Sequence, residues 1–181
     1  MAAAVRPPDH LRLEFFGPLG GARLLLATDG SDALALVPRQ RLYDRARASP
    51  RALARLTGLK FEPAGLVGLL RGRAPCAAAD QAPEAADQGG VERATVRCRL
   101  DDAVVALRVT DGSWAASISI TLESLRKSIR LDLVEGPTES SLADDLFAPT
   151  VPEGFTRGNL LGDGPPLLIV DEPGSAEGDH P

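Results

Sequence analysis

Apolar and polar residues alternate from Leu11 to Phe15, with Leu11, Leu13 and Phe15 on one side of the period and Arg12 and Glu14 on the other. A period of two is that of a half-buried strand. Gly17-Pro18-Leu19-Gly20-Gly21 predicts a turn, because proline fixes φ and glycine admits positive φ. Arg23 to Thr28 returns as a second strand, Asp29-Gly30 marks another tight turn, and Asp32 to Val37 is a third strand. An Arg-rich segment follows. Ser49-Pro50 then has the N-cap residue and the first-position proline of a helix, with Leu53 and Leu56 on its apolar face and Gly58 at its end. Glu62-Pro63 opens a second short helix, striped by Leu66, Leu69 and Leu70 and closed by Gly72.

The pattern breaks between Ala74 and Gly90, where seven of 17 residues are alanine and no face repeats. A flexible loop over 74–90 is expected. Alternation resumes with Ala94, Val96, Cys98 and Leu100. Asp101-Asp102 turns the chain into Ala103, Val105, Leu107 and Val109, and Asp111-Gly112 turns it again. Trp114, Ala116, Ile118, Ile120 and Leu122 then share a face, and Ile129, Leu131 and Leu133 give one more strand. Three consecutive hairpins with one apolar face make an antiparallel meander. The expected fold is therefore α+β: a curved antiparallel sheet, an incomplete β-barrel, with two short helices covering its concave face.

The sequence of 181 residues has 44% hydrophobic residues but only seven aromatics, so the interior must be aliphatic. The formal net charge of −5 argues against general nucleic-acid binding. Charge is unevenly spread. Arg39 to Arg73 holds nine basic residues against Asp44 and Glu62, whereas the stretch after Arg157 has five acids and no Lys or Arg. Such asymmetry suits either an anionic surface partner or an ordinary solvated face. Nine of the last 24 residues are Gly or Pro, which predicts a domain over 6–157 and a disordered acidic tail over 158–181.

No catalytic constellation stands out. His10 and His180 lie in no metal-ligand spacing, and Cys76 and Cys98, 22 positions apart, form no CxxC. These cysteines either pair or stay free. No phosphate loop and no GxSxG occur. Acid pairs such as Asp101-Asp102 and Asp144-Asp145 fall in turns. No enzyme activity, no metal and no cofactor are expected.

The order of these elements resembles the LolA/LolB-like outer-membrane lipoprotein family. The resemblance rests on the run LRLEFFGPLG, followed by LARLTGL and LVGLLRG, and more loosely on Asp145-Leu146-Phe147 with Pro152-Glu153-Gly154-Phe155, which is similar to the family's "F…PxG" ending. It implies a periplasmic, outer-membrane-associated protein that binds acyl chains or lipoproteins and exchanges them with a periplasmic lipoprotein carrier. It also implies a signal, an acylated cysteine, a helix and about two strands ahead of the matching part. MAAAVRPPDH holds none of these, so a truncated member is expected.

The groove would be lined by Leu11, Leu13, Phe15, Leu53, Leu56, Leu66, Leu69, Val105, Leu107, Ile118 and Ile120. Leu19, at the turn tip, either projects from the protein or folds back beside Phe16. The resemblance implies that it projects and promotes insertion of cargo into the membrane. The alternative is a non-catalytic structural or docking module of the envelope that uses the same fold with a filled core.

Overall fold

The computed structural model describes residues 1–17, 19–57, 60–76, 82–84, 94–100, 103–109, 115–123, 126–132 and 142–163. The fold is α+β, with curved, open sheets and two short helices. The N-terminal sheet has six strands in the order β1 (Ala2–Arg6), β2 (His10–Phe16), β3 (Ala22–Thr28), β4 (Asp32–Val37), β5 (Leu42–Arg47) and, from the C-terminal segment, β11 (Thr156–Arg157). The second sheet orders β10 (Lys127–Asp132), β9 (Ala115–Leu122), β8 (Ala103–Val109), β7 (Ala94–Leu100) and β6 (Ala82–Glu84). All pairings are antiparallel except β5 with β11, which is parallel. The strands expected in one sheet thus fall into two. The turns at Asp101-Asp102 and Asp111-Gly112, with Trp114 and Leu133, lie outside the described residues.

Helix α1 (Pro50–Thr57) begins as expected: the Ala52 N–H donates to Ser49 Oγ at 3.2 Å. Its end at Gly58 lies outside the described residues. Helix α2 (Pro63–Leu70) also starts on its proline and stops at Gly72, whose φ of +71° suits glycine. At Gly30, φ is +90°, a left-handed conformation that favours glycine, and a Cβ there would also displace the Asp9 carboxylate. Asp29 Oδ1 in the same turn accepts the N–H groups of Asp32 and Ser31, each at 2.9 Å. These bonds, that of Asp32 foremost, hold its pKa below the ordinary carboxylate value.

Besides the two-residue β11, three strands escape the periodic pattern. In β1, Ala2-Ala3-Ala4 carries no polar–apolar contrast. In β5 the inward side reads Leu42, Asp44, Ala46, with a carboxylate where an apolar residue belongs. In β6, within the segment expected to be a loop, Pro83 sits opposite Val96 at the sheet edge, where a missing N–H is tolerated.

The C-terminal segment straps the outer face of the six-stranded sheet. Phe147 is buried beneath the Arg6 guanidinium, 5.0 Å from the ring centre, and meets His10 edge-on. Arg12 donates to the Leu146 carbonyl at 3.2 Å. Farther along, Val151 and Phe155 pack with Leu25, Ala27, Leu34, Leu36 and Tyr43. The strap then pairs with β5, and Leu160 and Leu161 enter the inner core. Residues 158–163, expected to be tail, therefore belong to the fold.

What holds them is Asp44. Its Oδ2 accepts the N–H groups of Leu160 and Leu161, both at 3.0 Å, and its Oδ1 lies 3.5 Å from Arg157 Nε. Asp44→Ala is expected to cost about 2–3 kcal/mol, because two buried donors lose their acceptor. Asp44→Asn keeps an oxygen acceptor and should cost less. Urea midpoints for the two variants check the order.

Candidate functional site

The inner core brings the expected groove residues together. Leu11 and Leu13 come from β2, Leu53 and Leu56 from α1, Leu66 and Leu69 from α2, Val105 and Leu107 from β8, and Ile118 and Ile120 from β9. All ten are buried in one cluster, and Phe15 packs against it half-buried. The period of two placed the strand residues here, and the period near 3.6 placed the helical ones. Ala52, Val67, Leu70, Leu24, Leu26 and Leu160 join them. The first three adjoin predicted positions in the helices, Leu24 and Leu26 lie opposite Phe15 and Leu13, and Leu160 gives no periodic signal.

These side chains fill their space. Leu11, Leu53, Leu56, Val105 and Leu107 have no exposed surface, and Ile118 has 1%. A void able to hold water would leave accessible surface on its walls. The side chains therefore pack directly against one another at these positions, while Leu13, Leu66 and Ile120 keep 5–7% of their surface exposed. Two clefts lie elsewhere. One of about 690 Å³ runs between Gly30, Arg47, Ser49 and Glu62, and one of about 380 Å³ lies between Tyr43, Arg45, Val151 and Arg157. Neither is lined by a groove residue.

The second part of the site is one end of the six-stranded sheet. The turn joining β2 and β3 is closed by the Gly20 N–H on the Gly17 carbonyl at 2.9 Å and the Gly17 N–H on the Gly21 carbonyl at 2.8 Å. Leu19 is at its tip and wholly exposed. It projects and does not fold back. Among the described residues the large hydrophobic side chains left exposed are Leu19, Phe16 and Met1. All three sit at this end, since Ala2 pairs with Glu14 and Phe16 with Ala22. The sequence reading missed Phe16, although the signal was present: adjacent Phe15 and Phe16 cannot both face the core of a regular strand. The register shift between them marks the point where the strand turns out.

The third feature is a cross-link. Cys76, six residues beyond α2, is joined to the fully buried Cys98 of β7. The alternative left open by the sequence is thereby decided: the cysteines pair. The bond tethers the end of the helical segment to the second sheet.

Among the described residues no three His, Cys, Asp or Glu side chains are grouped so as to hold a metal ion. Among them too, no helix is long and apolar enough to cross a membrane. In comparisons with known proteins, no protein-family model and no curated protein matches the chain.

Proposed function

We propose that this chain is a non-enzymatic lipid- or lipoprotein-binding protein of the cell envelope that meets a lipid surface through the Leu19 end of its six-stranded sheet. The observation that carries the reading is the full exposure of Leu19 on a hairpin tip, with Phe16 and Met1 beside it. A soluble domain gains nothing from a leucine held in water. The same leucine gains about 1.5–3 kcal/mol when it leaves water for an apolar phase. The resemblance to the LolA/LolB-like lipoproteins, stated on the motif order, supports the same role and adds transfer of lipoproteins at the outer membrane, with a periplasmic carrier as donor. In this reading acyl chains are sheltered between the helices and the sheets. The aliphatic interior suits such cargo, and α1 and α2 are short enough to lift.

One observation favours a second reading. The inner core is filled at Leu11, Leu53, Leu56, Val105 and Leu107, as a docking module of the envelope would have it. Titration with a fluorescent fatty acid separates the two. Sheltering predicts saturable binding in the micromolar range and competition by an unlabelled acylated peptide. Absence of saturable binding would leave the filled-core module, with the hairpin tip as its membrane contact.

A further inference from the structure

The end of the sheet that carries Leu19 also carries unpaired positive charge. Strand β4 ends at Val37, and Pro38–Gln40 forms a single 3-10 turn that leads through Arg41 into β5. Leu25 pairs with Leu36, so continuing that register places this turn against the start of β3, next to the 17–21 turn. Arg39 and Arg41 are both exposed there. Among the described residues neither has an ion-pair partner, a property they share with Arg45 and Arg47 of β5, whereas Arg6, Arg12 and Arg157 have carboxylates.

Arg41 is held in place. Its φ is +52°, a left-handed conformation that ordinarily favours glycine. Its N–H donates to the Pro38 carbonyl at 3.1 Å, and its carbonyl accepts the Thr156 N–H at 2.8 Å. A glycine would relax this turn, and an arginine stands there instead. The opposite end of the sheet is mixed in charge, with Asp9, Asp29 and Asp32 in and beside its turns and Arg6 and Arg47 at the ends of β1 and β5. The sheet thus has exposed apolar side chains beside a basic turn at one end and mixed charge at the other, within a chain of net charge −5.

We propose that this end docks on an anionic phospholipid bilayer, with Arg39 and Arg41 contacting headgroup phosphates beside the inserted Leu19. The proposal rests on the lipid-contact reading above and adds the class of lipid. Charge complementarity selects the occupant: basic side chains at a bilayer surface are attracted by anionic headgroups, and salt weakens the attraction. The end that holds Asp9, Asp29 and Asp32 beside Arg6 and Arg47 then points away from the membrane, and the exposed Leu19 sets the orientation.

The test is co-sedimentation of the full chain with vesicles of phosphatidylcholine alone and of equal parts phosphatidylcholine and phosphatidylglycerol. The wild type should prefer the anionic vesicles, and added salt should erase the preference. Each arginine is expected to contribute about fivefold, so Arg39→Gln with Arg41→Gln should lose roughly 25-fold on anionic vesicles only. Arg39→Gln alone, away from the left-handed residue, should lose about fivefold. Arg47→Gln changes net charge equally at the other end of the sheet and should behave as wild type.

Equal wild-type binding to both vesicles, or an equal loss in Arg47→Gln, overturns the proposal. The lipid-contact reading survives that outcome if Leu19→Glu fails to bind either vesicle. Binding by Leu19→Glu at the wild-type level overturns the reading itself, and no wild-type binding to either vesicle overturns both.

Discussion

Replacing Cys76 and Cys98 together by serine is expected to lower stability by about 3 kcal/mol. The bond closes a loop with a sequence separation of 22. The chain-entropy relation for a loop of that size gives roughly 3 kcal/mol, the freedom that the unfolded chain regains when the link is removed. In a domain of this size that corresponds to a fall in melting temperature of about 6–12 °C. The same fall should follow from reductant added to the wild type, with no further fall when reductant is added to the serine variant. A reductant effect that persists in the variant would mean that some other change is being measured. Because Cys98 is fully buried, reduction should be slow in the folded protein and fast once it unfolds. The bond also bears on function. It anchors the chain just beyond α2, so any lifting of the helices would swing from that side, with α1 moving farther.

Much of the fold was legible because the expected strands show strong contrast between alternate positions. β4 coincides with its expected segment, β3 begins one residue before its own, and β2 runs one residue beyond its own at each end. In α1 the Ser49-Pro50 start is where the helix begins, and the Ser49 cap is made. The missed parts share one physical property: their pairing comes from the backbone and not from side-chain contrast. β1 is nearly all alanine. β6 contains a proline. β5 carries Asp44 on its inward side, because that carboxylate is needed to bind two N–H groups of a segment more than a hundred residues away. No local pattern contains that information. Leu160 and Leu161 were assigned to a tail for the same reason, since Gly and Pro around them dominate the composition while two long-range hydrogen bonds decide their place.

The candidate site divides in the same way. Periodicity identified which side chains meet in the interior, and all eleven expected groove residues lie in or against one cluster. Periodicity gave no account of how tightly they meet. A stripe of leucines on a short helix is compatible with a filled core or with a hollow, and the difference lies in the spacing between the elements. The hairpin tip was legible as a turn, but the direction of Leu19 depends on how the glycines on either side close it. The basic turn at Arg39 and Arg41 was visible only as part of a longer Arg-rich stretch. Its position beside Leu19 follows from the register of three strands.

Leu19→Glu is expected to remove association with lipid vesicles while leaving the melting temperature unchanged. Leu19 touches no core residue, and substitutions at such exposed positions rarely move stability by more than about 0.5 kcal/mol. Loss of one leucine's transfer energy alone predicts a fall in vesicle affinity of about tenfold or more, and a carboxylate at the tip resists entry into the apolar phase. Leu19→Phe, which keeps an apolar tip, should retain binding. Phe16→Ser should weaken binding less, because Phe16 is already partly covered. The decisive measurement is co-sedimentation of wild type and Leu19→Glu with the same vesicles, alongside thermal melting of both. Wild type is expected in the pellet and Leu19→Glu in the supernatant, with coincident melting curves. Equal sedimentation of the two proteins, with coincident melting, would contradict lipid contact through Leu19.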